Sequence, residues 1–157
     1  MNSMFSNCYS LKKINLNKFE KKSANKMDFI FNNCNNLLSI DLTKLETSQV
    51  KSISYSFSNC SSLTSLDIVK INLNNEEDMG YAFRYCLPIS NLNATKVKTM
   101  SGLFFWCHSL SSVHLNKYPI NITSICDLFN GYNSLYNIVL RVYNAQMVDR
   151  VLKILIL

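Results

Sequence analysis

An aromatic-to-cysteine pair, Phe-x-x-Cys, returns along this chain at a fixed interval, and that interval constrains the fold more than any other feature. Phe5/Cys8, Phe31/Cys34, Phe57/Cys60 and Phe83/Cys86 are 26 residues apart; Phe104/Cys107 follows after 21, and Phe129, with Tyr132 in the cysteine position, after another 25. Self-similarity at a period of about 20–50 residues marks stacked units, none of which can bury an apolar face alone.

The register extends beyond the two markers. Met1, Met27, Ile53, Met79, Met100 and Ile125 open the units, and Leu11, Leu37, Leu63, Ile89, Leu110 and Leu135 follow each cysteine position by three. Ile14, Ile40, Leu66, Leu92, Val113 and Ile138 come next, and two residues later Leu16, Leu42, Ile68, Ala94, Leu115 and Leu140. Met27, Phe31 and Cys34 lie at i, i+4 and i+7, one face of a short helix, whereas Ile40 and Leu42 lie at i and i+2, one face of a strand. Each unit is therefore expected to be a short helix, a tight turn and a short strand. With 3 Gly and 2 Pro in 157 residues, the turn falls to Asn7, Asn33 and Asn59, because Asn tolerates the left-handed backbone.

Stacking such units predicts an α/β solenoid: about six units of 21–26 residues starting near 1, 27, 53, 79, 100 and 125, with short parallel strands on one face and short helices on the other. The solenoid spans 1–141, and 142–157 reads as a C-terminal helix or a truncated seventh unit. Leu11 to Leu16, Leu37 to Leu42 and Leu63 to Ile68 match the L-x-x-L-x-L core of a leucine-rich repeat.

The stretch Met27-Asp28-Phe29-Ile30-Phe31-Asn32-Asn33-Cys34, then Leu37, Ile40-Asp41-Leu42-Thr43, Leu45-Glu46-Thr47-Ser48 and Val50, resembles the repeats of the BspA-like leucine-rich repeat family. The resemblance runs from Met1 to about Leu140. It implies a surface-protein repeat module that binds host or extracellular matrix proteins in adhesion, and it carries no catalytic residues. Two other readings stay open: an intracellular leucine-rich repeat scaffold, and a nonfunctional fragment of a longer repeat protein. Met1 and Val151 both stand at unit-opening positions, so the expectation is a piece of a longer array that self-associates through uncapped ends.

The fourth unit is short: Ala94 to Met100 takes 6 residues where Leu42 to Ile53 takes 11, a deletion in the strand-to-helix connection. In units four to six, Tyr85, Trp106 and Gly131 replace the Asn before the cysteine position.

Six cysteines invite a metal or disulfide reading, yet no pair has the close spacing of a zinc site. One cysteine per unit in an inward position is instead a ladder of small apolar side chains, and Cys126, outside the ladder, is the candidate accessible thiol. Cys107-His108 is no thiol and base, since adjacent helical residues point about 100° apart. No metal, cofactor or enzyme activity is expected.

Function is expected on the outward strand column Asn15, Asp41, Asp67, Asn93 and His114, a polar surface suited to a protein or a glycan. A second candidate is the aromatic group Tyr85, Phe105, Trp106 and Tyr132 near the expected helix C-termini, since aromatics with one polar end favour interfaces. The net charge of +6 is modest and its lysines are scattered, which argues against nucleic acid. No charged segment followed by an apolar run opens the chain, and the apolar tail is too short to insert in a membrane. The resemblance points to the cell surface, while free thiols and a missing signal suit the cytoplasm equally.

Overall fold

The computed structural model describes residues 1–16, 19, 24–42, 45, 47–64, 66, 78–86, 92–93, 99–108, 112–113, 115–116, 127–131 and 139–140. The expected C-terminal segment 142–157 and the start of the sixth unit at Ile125, with Cys126, lie outside them.

Segments 27–34, 53–60, 79–86 and 100–107, expected as short helices, are consecutive turns; the described residues contain no helix. The cause is visible in the backbone. Each unit carries two left-handed residues four apart: Phe29 and Asn33 (φ 56° and 60°), Tyr55 and Asn59 (55° and 60°), Tyr81 and Tyr85 (53° and 56°), Gly102 and Trp106 (both 58°). A right-handed helix cannot pass through such residues. They swing alternate peptide groups out of the turn and divide the N–H donors into two sets. Ile30, Asn32 and Cys34 close turns onto the carbonyls of Met27, Phe29 and Phe31, three residues back. Phe29, Phe31 and Asn33 donate instead to Ser54, Ser56 and Ser58 of the next unit, at 2.9, 2.9 and 2.8 Å. The pattern repeats at Phe57 to Ala82, Phe83 to Leu103 and Phe104 to Leu128. The turn wall is therefore stitched from unit to unit in the way a parallel sheet is, and its backbone groups are satisfied between units.

Side chains follow the same stitching. The rings of Phe5, Phe31, Phe57, Phe83, Phe104 and Phe129 form one continuous stack, with centroids 5.3, 5.8, 5.8, 6.1 and 5.6 Å apart and planes within 19° of parallel. The core also holds Met27, Ile53, Met79 and Met100, which open their units, and Leu37 and Leu63. A further inward column, Ile30, Ser56, Ala82, Leu103 and Leu128, lies one residue before each Phe. Its one polar member, Ser56, is buried and donates its hydroxyl to the Met27 carbonyl at 2.6 Å. Asn7, Asn33 and Asn59 also form a ladder: the Asn33 amide donates to Asn7 Oδ1 at 2.8 Å and the Asn59 amide to Asn33 Oδ1 at 2.7 Å.

Among the described residues there are six two-residue strands: β1 (Lys13–Ile14), β2 (Ser39–Ile40), β3 (Leu92–Asn93), β4 (Ser112–Val113), β5 (Leu115–Asn116) and β6 (Val139–Leu140). All pairs are parallel: β1 with β2, β3 with β5, and β4 with β6. The first pair keeps the register of the repeat, Ile14 opposite Ile40. The later pairs are offset from it by two residues, with Leu92 opposite Leu115 rather than Val113, and Val113 opposite Leu140 rather than Ile138. A slip of two preserves which residues share a face, whereas a slip of one would not.

Candidate functional site

Of the expected strand column, Asn15, Asp41 and Asn93 fall on described residues. Asn15 and Asp41 are both exposed; each follows a half-buried residue of a paired strand (Ile14, Ile40) and precedes a buried leucine (Leu16, Leu42). The register of β1 and β2 sets them side by side in adjacent units, next to exposed Lys13 and Ser39. Asn93 stands opposite Asn116, not opposite His114. That departs from the expected column, and the two-residue offset accounts for it. Asp67 and His114 lie outside the described residues.

Three of the four aromatic candidates come together. The Tyr85 and Trp106 rings are 5.9 Å apart and tilted by 49°, and Phe105 and Trp106 are 6.3 Å apart at 33°. Their backbones are joined directly, Tyr85 N–H donating to the Phe105 carbonyl at 3.0 Å. Tyr132 lies outside the described residues. Instead of sitting at helix C-termini, Tyr85 and Trp106 occupy the second left-handed position of their units, which is filled by Asn in the first three. Gly131 occupies it in the sixth, and a Cβ there would fall 2.4 Å from the indole, so the glycine makes room for Trp106.

Two features were not anticipated from the sequence. Arg84 lies against this group, its Cζ 4.9 Å from the centroid of Tyr85 and 5.2 Å from that of Phe105. Nearby, Phe29, Tyr55 and Tyr81 form a second, outer ring stack at 4.9 and 5.0 Å. The available signal was an aromatic residue two positions after the unit opener in three successive units; it was hidden because helical geometry gave that position no role.

The cysteines are packing groups. Cys34, Cys60, Cys86 and Cys107 are buried and free, and each thiol reaches the carbonyl of the Phe one unit back: Phe5 at 3.0 Å, Phe31 at 3.2 Å, Phe57 at 2.6 Å and Phe83 at 2.8 Å. Burial, with the neighbouring Cys60 thiol adding to it, pushes Cys34 up to about 12 from the ordinary 9.0. Burial likewise pushes Cys107 up to about 12 and Cys86 well above its ordinary value. Thiols so held are protonated at neutral pH and do not act as nucleophiles. His108 is exposed and stands edge-on to the Trp106 indole at 5.3 Å. Cys8 departs from the expected buried ladder: it is exposed, and it is the accessible thiol among the described residues.

A folded-state pKa raised above the unfolded one stabilises the fold below the unfolded value, and that contribution is lost as pH rises toward the folded one. Urea midpoints should therefore fall between pH 9 and 12 as thiols that stay protonated when folded ionise on unfolding. Replacing Cys34 and Cys107 together by Ala should flatten that slope; a slope unchanged by the replacement would show that these thiols do not cause it.

The chain belongs to a protein family. A family model described as "Mycoplasma protein of unknown function, DUF285" matches residues 1–112 and again 83–155, together nearly the whole chain. Neither the curated proteins nor the solved structures contain a match.

Proposed function

We propose that this chain is a non-catalytic binding module, a leucine-rich-repeat solenoid of the BspA-like kind that holds a partner protein on its strand face. The observation that carries this reading is the register of β1 and β2, which brings Asn15 and Asp41 into one exposed row above buried Leu16 and Leu42. Polar side chains fixed on a hydrogen-bonded sheet lose little conformational entropy on binding, which is what a recognition surface requires. The protonated, buried thiols support the non-catalytic part.

In this reading the module belongs to a surface protein and its partner is a host or extracellular matrix protein, with a glycan as the other ligand class. The free cysteines favour a second reading, an intracellular scaffold using the same face. Binding of the full chain to immobilised extracellular matrix proteins should weaken by about tenfold when Asn15 and Asp41 are both replaced by Ala, the loss expected for two interface groups. Binding unchanged by the double replacement would remove the strand face as the site. Protease treatment of intact cells separates the two locations, since only a surface protein is cleaved.

A further inference from the structure

Arg84 is half-buried against two rings, and its Nε is buried without a hydrogen-bond acceptor. No carboxylate among the described residues pairs with it. The Nε is closed to solvent, so a partner would reach the guanidinium through its terminal nitrogens, for which the described residues supply no acceptor either. The surroundings supply a second observation. Tyr85 and Trp106 hold left-handed backbone (φ 56° and 58°) where the earlier units use Asn at φ 60° to 62°. Left-handed backbone recurs in every unit, so what sets these two positions apart is the exchange of Asn for a large aromatic side chain. Of these rings Trp106 is open, at 41 % exposed, while Tyr85 and Phe105 are half-buried.

We infer that Arg84, Tyr85, Phe105 and Trp106 form a docking site for an acidic segment of a partner protein, in which an Asp or Glu carboxylate takes the guanidinium and an adjacent apolar side chain packs on the indole. A guanidinium held against rings is already oriented, and its planar fork matches a carboxylate in a way that an ammonium does not. Trp, Tyr and Arg are the residue types that dominate binding at protein interfaces, and here they are contiguous. The net charge of +6 favours an acidic partner. An acidic sugar offers the same carboxylate, and polygalacturonate is the control for it; Gly131 and the perpendicular His108, 5.3 Å away, flank the indole. This site lies on the turn wall and stands or falls independently of the strand face.

The chain contains a single tryptophan, so the emission of Trp106 reports the site without a label. The full chain would be titrated with a peptide of alternating Glu and Leu, with its Gln and Leu counterpart, and with polygalacturonate as an acidic glycan. The site predicts a saturable change with the Glu peptide and binding about tenfold weaker for the Gln peptide. R84K, which keeps the charge but loses the fork, should also bind about tenfold more weakly while its circular dichroism stays that of the parent. Absence of a saturable change with the Glu peptide, or equal binding by R84K, would overturn the inference. Tighter binding of polygalacturonate than of the Glu peptide would overturn the assignment to a protein partner.

Discussion

Phe57→Ala should destabilise the fold by about 3–5 kcal/mol, the cost of removing a large aromatic from a core that cannot collapse around the void. Phe57 has no exposure, and its ring is stacked on both sides, 5.8 Å from Phe31 and 5.8 Å from Phe83. Truncation therefore breaks two ring contacts and interrupts a ring column that runs from Phe5 to Phe129. The neighbours are held in place by backbone bonds, Phe31 N–H to Ser56 and Phe57 N–H to Ala82, both 2.9 Å, so the gap should persist rather than close. Total stabilities are about 5–15 kcal/mol, and this one change consumes much of that margin. Phe57→Leu keeps most of the volume and should cost less than half as much. Urea unfolding of the two variants checks the pair; a loss under about 1 kcal/mol for Phe57→Ala, the range of ordinary substitutions, would mean that the stack does not hold the units together.

Gly102→Ala should cost about 2–3 kcal/mol, and the reason is a ring as well as a dihedral. Its φ of 58° is left-handed, but Phe29, Tyr55 and Tyr81 take the same conformation with full side chains. The particular need for glycine comes from Tyr81, whose Cε1 would lie 2.2 Å from an added Cβ. Tyr81 stacks on Tyr55 at 5.0 Å, and with no ring at 102 to continue the stack it leans over the glycine to meet Phe105 at 5.9 Å and 57°. An added methyl must push it away and forfeit stacking worth about 0.5–1.5 kcal/mol. In Tyr81→Ser the obstacle is gone, so Gly102→Ala should then carry only the backbone cost of about 1–2 kcal/mol. Additive losses in the double variant would contradict this, because residues in contact are expected to couple.

The inward columns were legible in the sequence because they repeat: Met27, Phe31, Cys34 and Leu37 and their counterparts Ile53, Phe57, Cys60 and Leu63 recur at 26 residues, and they are buried. What the period could not distinguish was helix from turn. Apolar residues at i, i+4 and i+7 serve either, and the deciding feature is the left-handed pair in each unit. Asn33 and Asn59 announce one member of that pair; Phe29, Tyr55 and Tyr81 disguise the other, since aromatic residues have no preference for that conformation. The same substitution of turn for helix hid the outer ring stack and Arg84, which have no place on a helical surface scheme. On the strand side, Asn15 beside Asp41 follows from the period, whereas Asn93 beside Asn116 does not, because pairing slips by two residues after the short fourth unit.

The unit-to-unit stitching of the turn wall carries the rest of the account, and the amide of Phe57 reports on it directly. Scalar coupling across its hydrogen bond, measured by NMR on the isotope-labelled chain, identifies the accepting carbonyl. The structure predicts Ala82, in the next unit, at 2.9 Å; coupling to Ile53, four residues back, is what a helix would give, and it would contradict the account.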